Sequence, residues 1–138
     1  MLIKKQKDKE YLVSYADLYN QLLMDYYRYP RNKGILEKPD FVSGVYNPLC
    51  GDEVTLCGIL DGNMITQCLF QAKGCVISQA AASLVAEYAM NKSIQTVMAL
   101  TKDDLLALIK LELGPTRLRC ALISLEALHN GLKSFKLS

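Results

Sequence analysis

The sequence predicts an α+β domain in which a small antiparallel sheet of about three strands packs against several helices. Two β-favouring runs, residues 53–60 and 64–72, flank a tight Asp61-Gly62-Asn63 turn, the pattern of a hairpin. On either side of that hairpin, apolar residues recur at the three- and four-residue steps of amphipathic helices. At 138 residues, 51% of them hydrophobic, the chain can bury one substantial core but hardly two. Residues 1–138 are therefore read as a single domain, with 1–13 expected to be a poorly ordered or mobile leader.

Taken in order, Ser14 followed by Asp17 marks a helix start, and Tyr15, Leu18, Tyr19, Leu22, Leu23 and Tyr26 then recur at helical spacing. Pro30 ends this helix near Tyr29, because proline lacks the N–H the next turn would need. Arg31-Asn32-Lys33-Gly34 reads as a turn into a looser stretch. With an even loop centred on Gly62 and Asn63, the two strands pair so that Cys57 sits opposite Cys68, and Cys50 and Cys75 come to the same open end of the hairpin. Past Gly74 the period changes, and Ile77, Ala81, Leu84, Val85 and Tyr88 share one face of a helix that begins just after Cys75. A shorter helix can start at Ser93. Thr101-Lys102-Asp103-Asp104 resembles a capped start for a helix carrying Leu105, Leu106, Leu108 and Ile109. Gly114-Pro115 interrupts the chain, and Leu118, Leu122, Leu125, Leu128 and Leu132 mark a last amphipathic helix with Cys120 in or near its first turn.

The charge balance, 16 Lys and Arg against 14 Asp and Glu, gives neither the basic field of a nucleic-acid binder nor an acidic tail. Tyr26-Tyr27-Arg28-Tyr29 could offer stacking surfaces to bases, but tyrosines at helical spacing beside one arginine fit core and interface better. The charged start has no apolar stretch behind it, and no run reaches the roughly 18 apolar residues of a membrane helix. A cytoplasmic protein with no membrane or nucleic-acid partner is the expectation.

Five cysteines without an export signal are better read as reduced thiols than as a disulfide framework. Cys57 and Cys68 lie in the bodies of strands and read as small core residues. His129, nine residues past Cys120, reads as a partly buried helix residue. Cys50, Asp52, Cys75 and Cys120 are different. Three thiolates and a carboxylate suit a tetrahedral zinc or ferrous site. Gly51 and Gly74 give the backbone freedom beside the ligands. Helix starts favour thiolates at Cys75 and Cys120, and Lys73, Arg117 and Arg119 would offset part of the negative charge. The same cysteines can equally be buried filler with Asp52 as a turn residue, and spacing alone does not choose.

Three ordered motifs add to this reading. They are Asn47-Pro48-Leu49-Cys50-Gly51-Asp52, then Gly74-Cys75-Val76-Ile77-Ser78 with Ala82-Ser83, and Arg119-Cys120-Ala121-Leu122 before Ala127-Leu128. Together they resemble the three-cysteine signature of the IscU/NifU N-terminal family, and Tyr29-Pro30-Arg31-Asn32-Lys33-Gly34 is similar to that family's Asn-Pro-Arg-Asn-x-Gly turn. The resemblance runs from about residue 15 to the C-terminus. It implies an iron-sulfur assembly scaffold that accepts sulfur from a cysteine desulfurase, binds iron and a transient [2Fe-2S] cluster through Cys50, Asp52, Cys75 and Cys120, and passes the cluster to apo-proteins. Zinc would fill the site in the protein as isolated, and a monomer or weak homo-oligomer is expected.

Two departures bear on that expectation. Where many IscU sequences carry His before the last cysteine, this chain has Arg119, as the SufU branch has a basic residue there, and that branch implies a zinc-dependent sulfurtransferase. The long insertion between the second and third cysteines that marks SufU is missing. The resemblance to IscU favours Cys120 as the persulfide acceptor, that to SufU favours Cys50, and the cation at Arg119 tips the expectation to Cys120. Leu113-Gly114-Pro115-Thr116-Arg117 keeps only parts of the Leu-Pro-Pro-Val-Lys segment read by a dedicated chaperone, which puts a chaperone partner in doubt. A structural zinc module without sulfur traffic is the third reading.

Overall fold

The computed structural model describes residues 15–49, 51–109 and 113–137. The expected leader and the cap at Ser14 lie outside them, as does Cys50. Helix α1 (Tyr15–Arg28) ends two residues before Pro30, and strands β1 (Phe41–Asn47), β2 (Asp52–Asp61) and β3 (Met64–Lys73) follow. Helix α2 (Val76–Ala89) leads into a two-residue strand β4 (Lys92–Ser93), two short helices α3 (Ile94–Met98) and α4 (Lys102–Ile109), and the long α5 (Pro115–Leu137). The described strands form one antiparallel sheet in the order β1-β2-β3-β4. No helix among the described residues is long and apolar enough to cross a membrane.

The sheet extends beyond the expected hairpin, because the stretch read as a loose connection contains β1. Its burial alternates along the strand, with Phe41 and Asn47 buried and Val42 and Tyr46 exposed, as an edge strand with one solvated face requires. The expected pairing of Cys57 with Cys68 is corrected by a bulge. Leu60 pairs with Ile65, but Ile59 pairs with Gln67, so Thr66 is the extra residue and its hydroxyl donates to the Ile59 carbonyl at 3.2 Å. Beyond the bulge Cys57 faces Leu69 and Cys68 faces Gly58, which puts the two thiols on opposite faces of the sheet. Both are free and buried, and burial pushes the Cys68 thiol up to about 12, with Cys57 adding to the shift.

The caps expected at Ser93 and Thr101 are found. Ser93 accepts the Thr96 amide at the start of α3. At α4, Thr101 and Asp104 exchange bonds of 3.0 Å, each side chain accepting the other's amide, as a capping box does. Pro115 is the first residue of α5, where its missing N–H is no loss. This start puts Cys120 in the second turn of α5, at the near end of the expected range in or near the first turn. His129 is half-buried, with Nε2 2.8 Å from the Val97 carbonyl.

The core lies between the sheet and the helices. Val54, Leu56, Ile65 and Phe70 of the sheet meet Val85 of α2 and Leu125, Leu128 and Leu132 of α5. Helix α2 also buries Ala80, Ala81, Ala82, Ala86 and Ala89 completely, and such small side chains bring its backbone close to the sheet and to α5. The turn after α1 fastens the far half of α2. The Arg31 amide donates to Ser83 Oγ at 2.8 Å, Tyr26 donates to Glu87 at 2.6 Å, and the Arg31 guanidinium bonds Asp25 at 2.7 Å while lying over the Tyr26 ring. Asn32, at φ 65, then docks the turn on β3, its carbonyl accepting the Phe70 amide and its side chain donating to the Cys68 carbonyl.

Phe41 fills the space left by two glycines. A Cβ at Gly58 would lie 2.4 Å from the Phe41 ring and 2.7 Å from the Gln67 carbonyl, and one at Gly131 of α5 would lie 2.8 Å from the ring. The backbone carbonyl cannot yield. Gly58→Ala should therefore lose about 1–3 kcal/mol of stability in urea unfolding. Gly131→Ala should lose less, since helix propensity returns about 1 kcal/mol. A neutral Gly58→Ala would show that the Phe41 ring packs elsewhere.

Candidate metal centre

Three separate segments build the site. On the first, the Asn47 carbonyl accepts the Gly51 amide at 2.8 Å and its side chain accepts the Leu49 amide at 3.2 Å. This buried asparagine closes the connection between β1 and β2, and Gly51 sits at φ 75, a left-handed conformation that glycine takes at little cost. Asp52, the first residue of β2 and 0% exposed, then points into the protein. On the second segment, Gly74 links β3 to α2 at φ 116, and a Cβ there would lie 2.0 Å from Asp52 Oδ1. Only glycine lets the two backbones approach so closely. Cys75 follows as the N-cap of α2, and its side chain makes no capping bond. The third segment is α5, which brings Cys120 in from its buried face, 2% exposed.

The donor atoms of Asp52, Cys75 and Cys120 all lie within 4.8 Å of one another. Thus three of the four residues singled out from sequence are brought together, and the fourth, Cys50, lies outside the described residues. Asp52 ties the start of α2 to β2 through the N-cap residue's own amide and a first-turn hydroxyl. Its Oδ1 accepts the Cys75 amide at 2.8 Å, and its Oδ2 accepts the Ser78 hydroxyl at 2.5 Å and the Cys75 thiol at 3.4 Å. Ser78 Oγ is itself 3.4 Å from Cys75 Sγ. The start of α2 also presents its positive dipole end to the carboxylate, offsetting part of the cost of burying it.

The donor set fits a metal. A tetrahedral zinc ion with bonds of about 2.3 Å to sulfur and about 2.0 Å to oxygen holds neighbouring ligand atoms roughly 3.5–3.8 Å apart. The 3.4 Å between Cys75 Sγ and Asp52 Oδ2 already has that length, and the 4.8 Å limit on the others leaves a contraction of about an ångström. Loss of the thiol proton on metal binding removes the hydrogen bond from Cys75 to Asp52 and frees that edge for shared coordination. The cations expected to compensate the charge sit further out. Lys73, Arg117 and Arg119 are exposed, and Arg119 lines a cleft of about 560 Å³ between α3 and α5 together with Lys102, Glu126 and Lys133.

Two contributors escaped the sequence reading. Asn47 and Ser78 were seen only as members of a motif, yet both are buried and hydrogen-bonded at the site. The available signal for Ser78 was its place three residues after Cys75, the position from which a side chain reaches back over a helix start.

The family model described as NifU-like N terminal domain matches residues 18–138. Among characterised relatives, the zinc-dependent sulfurtransferase SufU of Bacillus subtilis is 34% identical, spanning 83% of this chain and 89% of that protein. The iron-sulfur cluster assembly scaffold protein IscU of Escherichia coli is 30% identical over 86% of this chain and 94% of its own length. Among solved structures, a putative iron-sulfur cluster assembly scaffold protein for the SUF system from Fervidobacterium islandicum superposes with a TM-score of 0.72 at 26% identity, covering 81% of this chain and 94% of that one. The N-terminal part of a nitrogen-fixing NifU-like protein from Brucella abortus shares the fold, with a TM-score of 0.73 at 18% identity over 90% of this chain and 98% of its own. With the motifs in order, the fold in common and the match reaching the last residue, the chain belongs to the NifU-like N-terminal domain family, which includes proteins named IscU and SufU.

Proposed function

We propose that this protein is a scaffold for iron-sulfur cluster assembly: it accepts sulfur from a cysteine desulfurase, holds iron and a transient [2Fe-2S] cluster as cargo, and passes the cluster to apo-proteins. The observation that carries this reading is the convergence of Asp52, Cys75 and Cys120 from three segments onto one spot less than 5 Å across. Cys50 completes the proposed set, following Leu49 on the Asn47–Asp52 connection. On this reading the whole chain works as one scaffold domain, cytoplasmic, as a monomer or weak homo-oligomer. The 34% identity to a zinc-dependent sulfurtransferase supports a second reading, in which the zinc form relays sulfur for a desulfurase without building a cluster. When bound, zinc would keep the thiols deprotonated and ready to act as nucleophiles.

Sulfur uptake is a thiol exchange. The thiolate of the acceptor cysteine attacks the outer sulfur of the desulfurase persulfide, forms a new S–S bond, and leaves the desulfurase with its thiolate, which takes up a proton. Cys120 and Cys50 are the candidate acceptors. The exposed Arg119 favours Cys120 by attracting the approaching partner, while the burial of Cys120 requires the docked partner to uncover it. Asp52 is the hard ligand among soft ones, so it is the member of the set from which a cluster is released most easily.

Anaerobic reconstitution with iron, cysteine and a desulfurase should give visible absorption from a bound cluster. Desulfurase stimulation by the zinc form with no cluster would favour the relay, and neither would leave a structural zinc module. The protein as isolated should hold one zinc ion, and a chelator should lower its melting temperature, because closing a site from distant segments couples binding to folding. Full zinc content in a Cys75→Ser, Cys120→Ser double variant contradicts this. Asp52→Ala should lengthen the half-life of the reconstituted cluster in air, and a shorter half-life would overturn the role given to the carboxylate. Peptide mass mapping after brief exposure to desulfurase and cysteine should place the added sulfur on Cys120. Finding it on Cys50, with Cys120 unmodified, would instead support the relay.

A further inference from the structure

The proposed ligand set does not include Ser78, yet among the described residues the Ser78 hydroxyl makes a short hydrogen bond at the site, 2.5 Å to Asp52 Oδ2. It is 0% exposed, as is Asp52. Buried polar side chains in such contact are costly to separate and hold each other in one orientation. Ser78 sits in the first turn of α2, whose buried alanines anchor the helix against the sheet, so its Oγ is a fixed point. Cys75, by contrast, is half-exposed and its thiol touches both Asp52 and Ser78.

We propose that Ser78 is a positioning residue for the metal centre: its hydroxyl clamps one oxygen of Asp52, aims the carboxylate between Cys75 and Cys120, and thereby sets how tightly zinc is held. This rests on the reading of Asp52, Cys75 and Cys120 as ligands. Among the described residues, the Cys75 amide on Oδ1 and Ser78 Oγ on Oδ2 hold the carboxylate independently of any metal. The amide belongs to the backbone and survives substitution. The thiol bond from Cys75 ends when metal takes the thiolate. Ser78 is then, among the described residues, a side-chain donor that would continue to hold Oδ2 in the loaded site. Without it, Oδ2 loses a fixed donor while the Cys75 amide still holds Oδ1, and the metal must set the orientation of that oxygen at the expense of binding energy. Partners that orient a ligand in this way typically contribute about 10–100-fold in metal affinity.

The test is a double-mutant cycle on zinc affinity, measured by competition with a chromogenic chelator on the full chain. Ser78→Ala removes one oxygen and should weaken zinc binding about 10-fold or more. Ser78→Thr keeps the hydroxyl and should remain within about threefold of the parent, which also covers the case in which Ser78→Ala does not fold. In an Asp52→Ala background the same Ser78→Ala change should have less than about a twofold effect, because Ser78 acts only through Asp52. An unchanged affinity in Ser78→Ala, or an equal loss with and without Asp52, overturns the proposal and leaves Ser78 a structural residue. If Asp52→Ala and Cys75→Ser also leave zinc affinity unchanged, the ligand set itself falls and the proposal with it; if they weaken binding while Ser78→Ala does not, the ligand set stands and only the proposal fails.

Discussion

The hydrogen bonds of one buried carboxylate hold the site end of this fold together. Asp52 begins a strand and ties down the start of a helix at the same time, taking the Cys75 amide and the Ser78 hydroxyl onto its two oxygens. An unpaired carboxylate at 0% exposure would be expensive, so the start of α2 has to lie where it does. Gly74 is a consequence of the same constraint, since any side chain there would collide with Asp52. Cys75 inherits its position from that turn, and Cys120 meets it because α5 packs on the same face of the sheet.

Much of this was legible in the chain because local chemistry agrees with the tertiary fold. The Asp61-Gly62-Asn63 turn, Ser93 and Thr101 as caps, and the Gly114-Pro115 interruption ahead of the last helix each act over a few residues, and each is found at its expected place. What escaped depends on partners remote in sequence. β1 has the alternation of a strand, but its glycine and asparagine read as loop until β2 and α5 are there to cover Phe41 and Asn47. The register of Cys57 and Cys68 turned on a single extra residue, Thr66, whose hydroxyl bond to Ile59 no composition rule anticipates.

The candidate site divides in the same way. Asp52, Cys75 and Cys120 were legible by residue type and by the glycines beside them. Ser78 and Asn47 were not, because serine and asparagine are common in turns and at helix starts for reasons unconnected with a metal. Their part follows only from burial and from the atoms they face. The surroundings of Cys120 were only partly legible: α5 begins at Pro115, so its open N-terminal amides lie a turn before the thiol rather than beside it.

The alanines of α2 have one more consequence. A helix that buries Ala80, Ala81, Ala82, Ala86 and Ala89 has few long side chains among its buried residues to rearrange when it is pushed, and close-packed interiors yield little. It moves as a rod or not at all. Ser78 holds Asp52 at one end of this rod, while Ser83 and Glu87 hold Arg31 and Tyr26 further along it. The half-buried Pro30–Gly34 turn and the candidate site are thus two ends of one rigid element, so a load applied at the turn would be felt at the carboxylate.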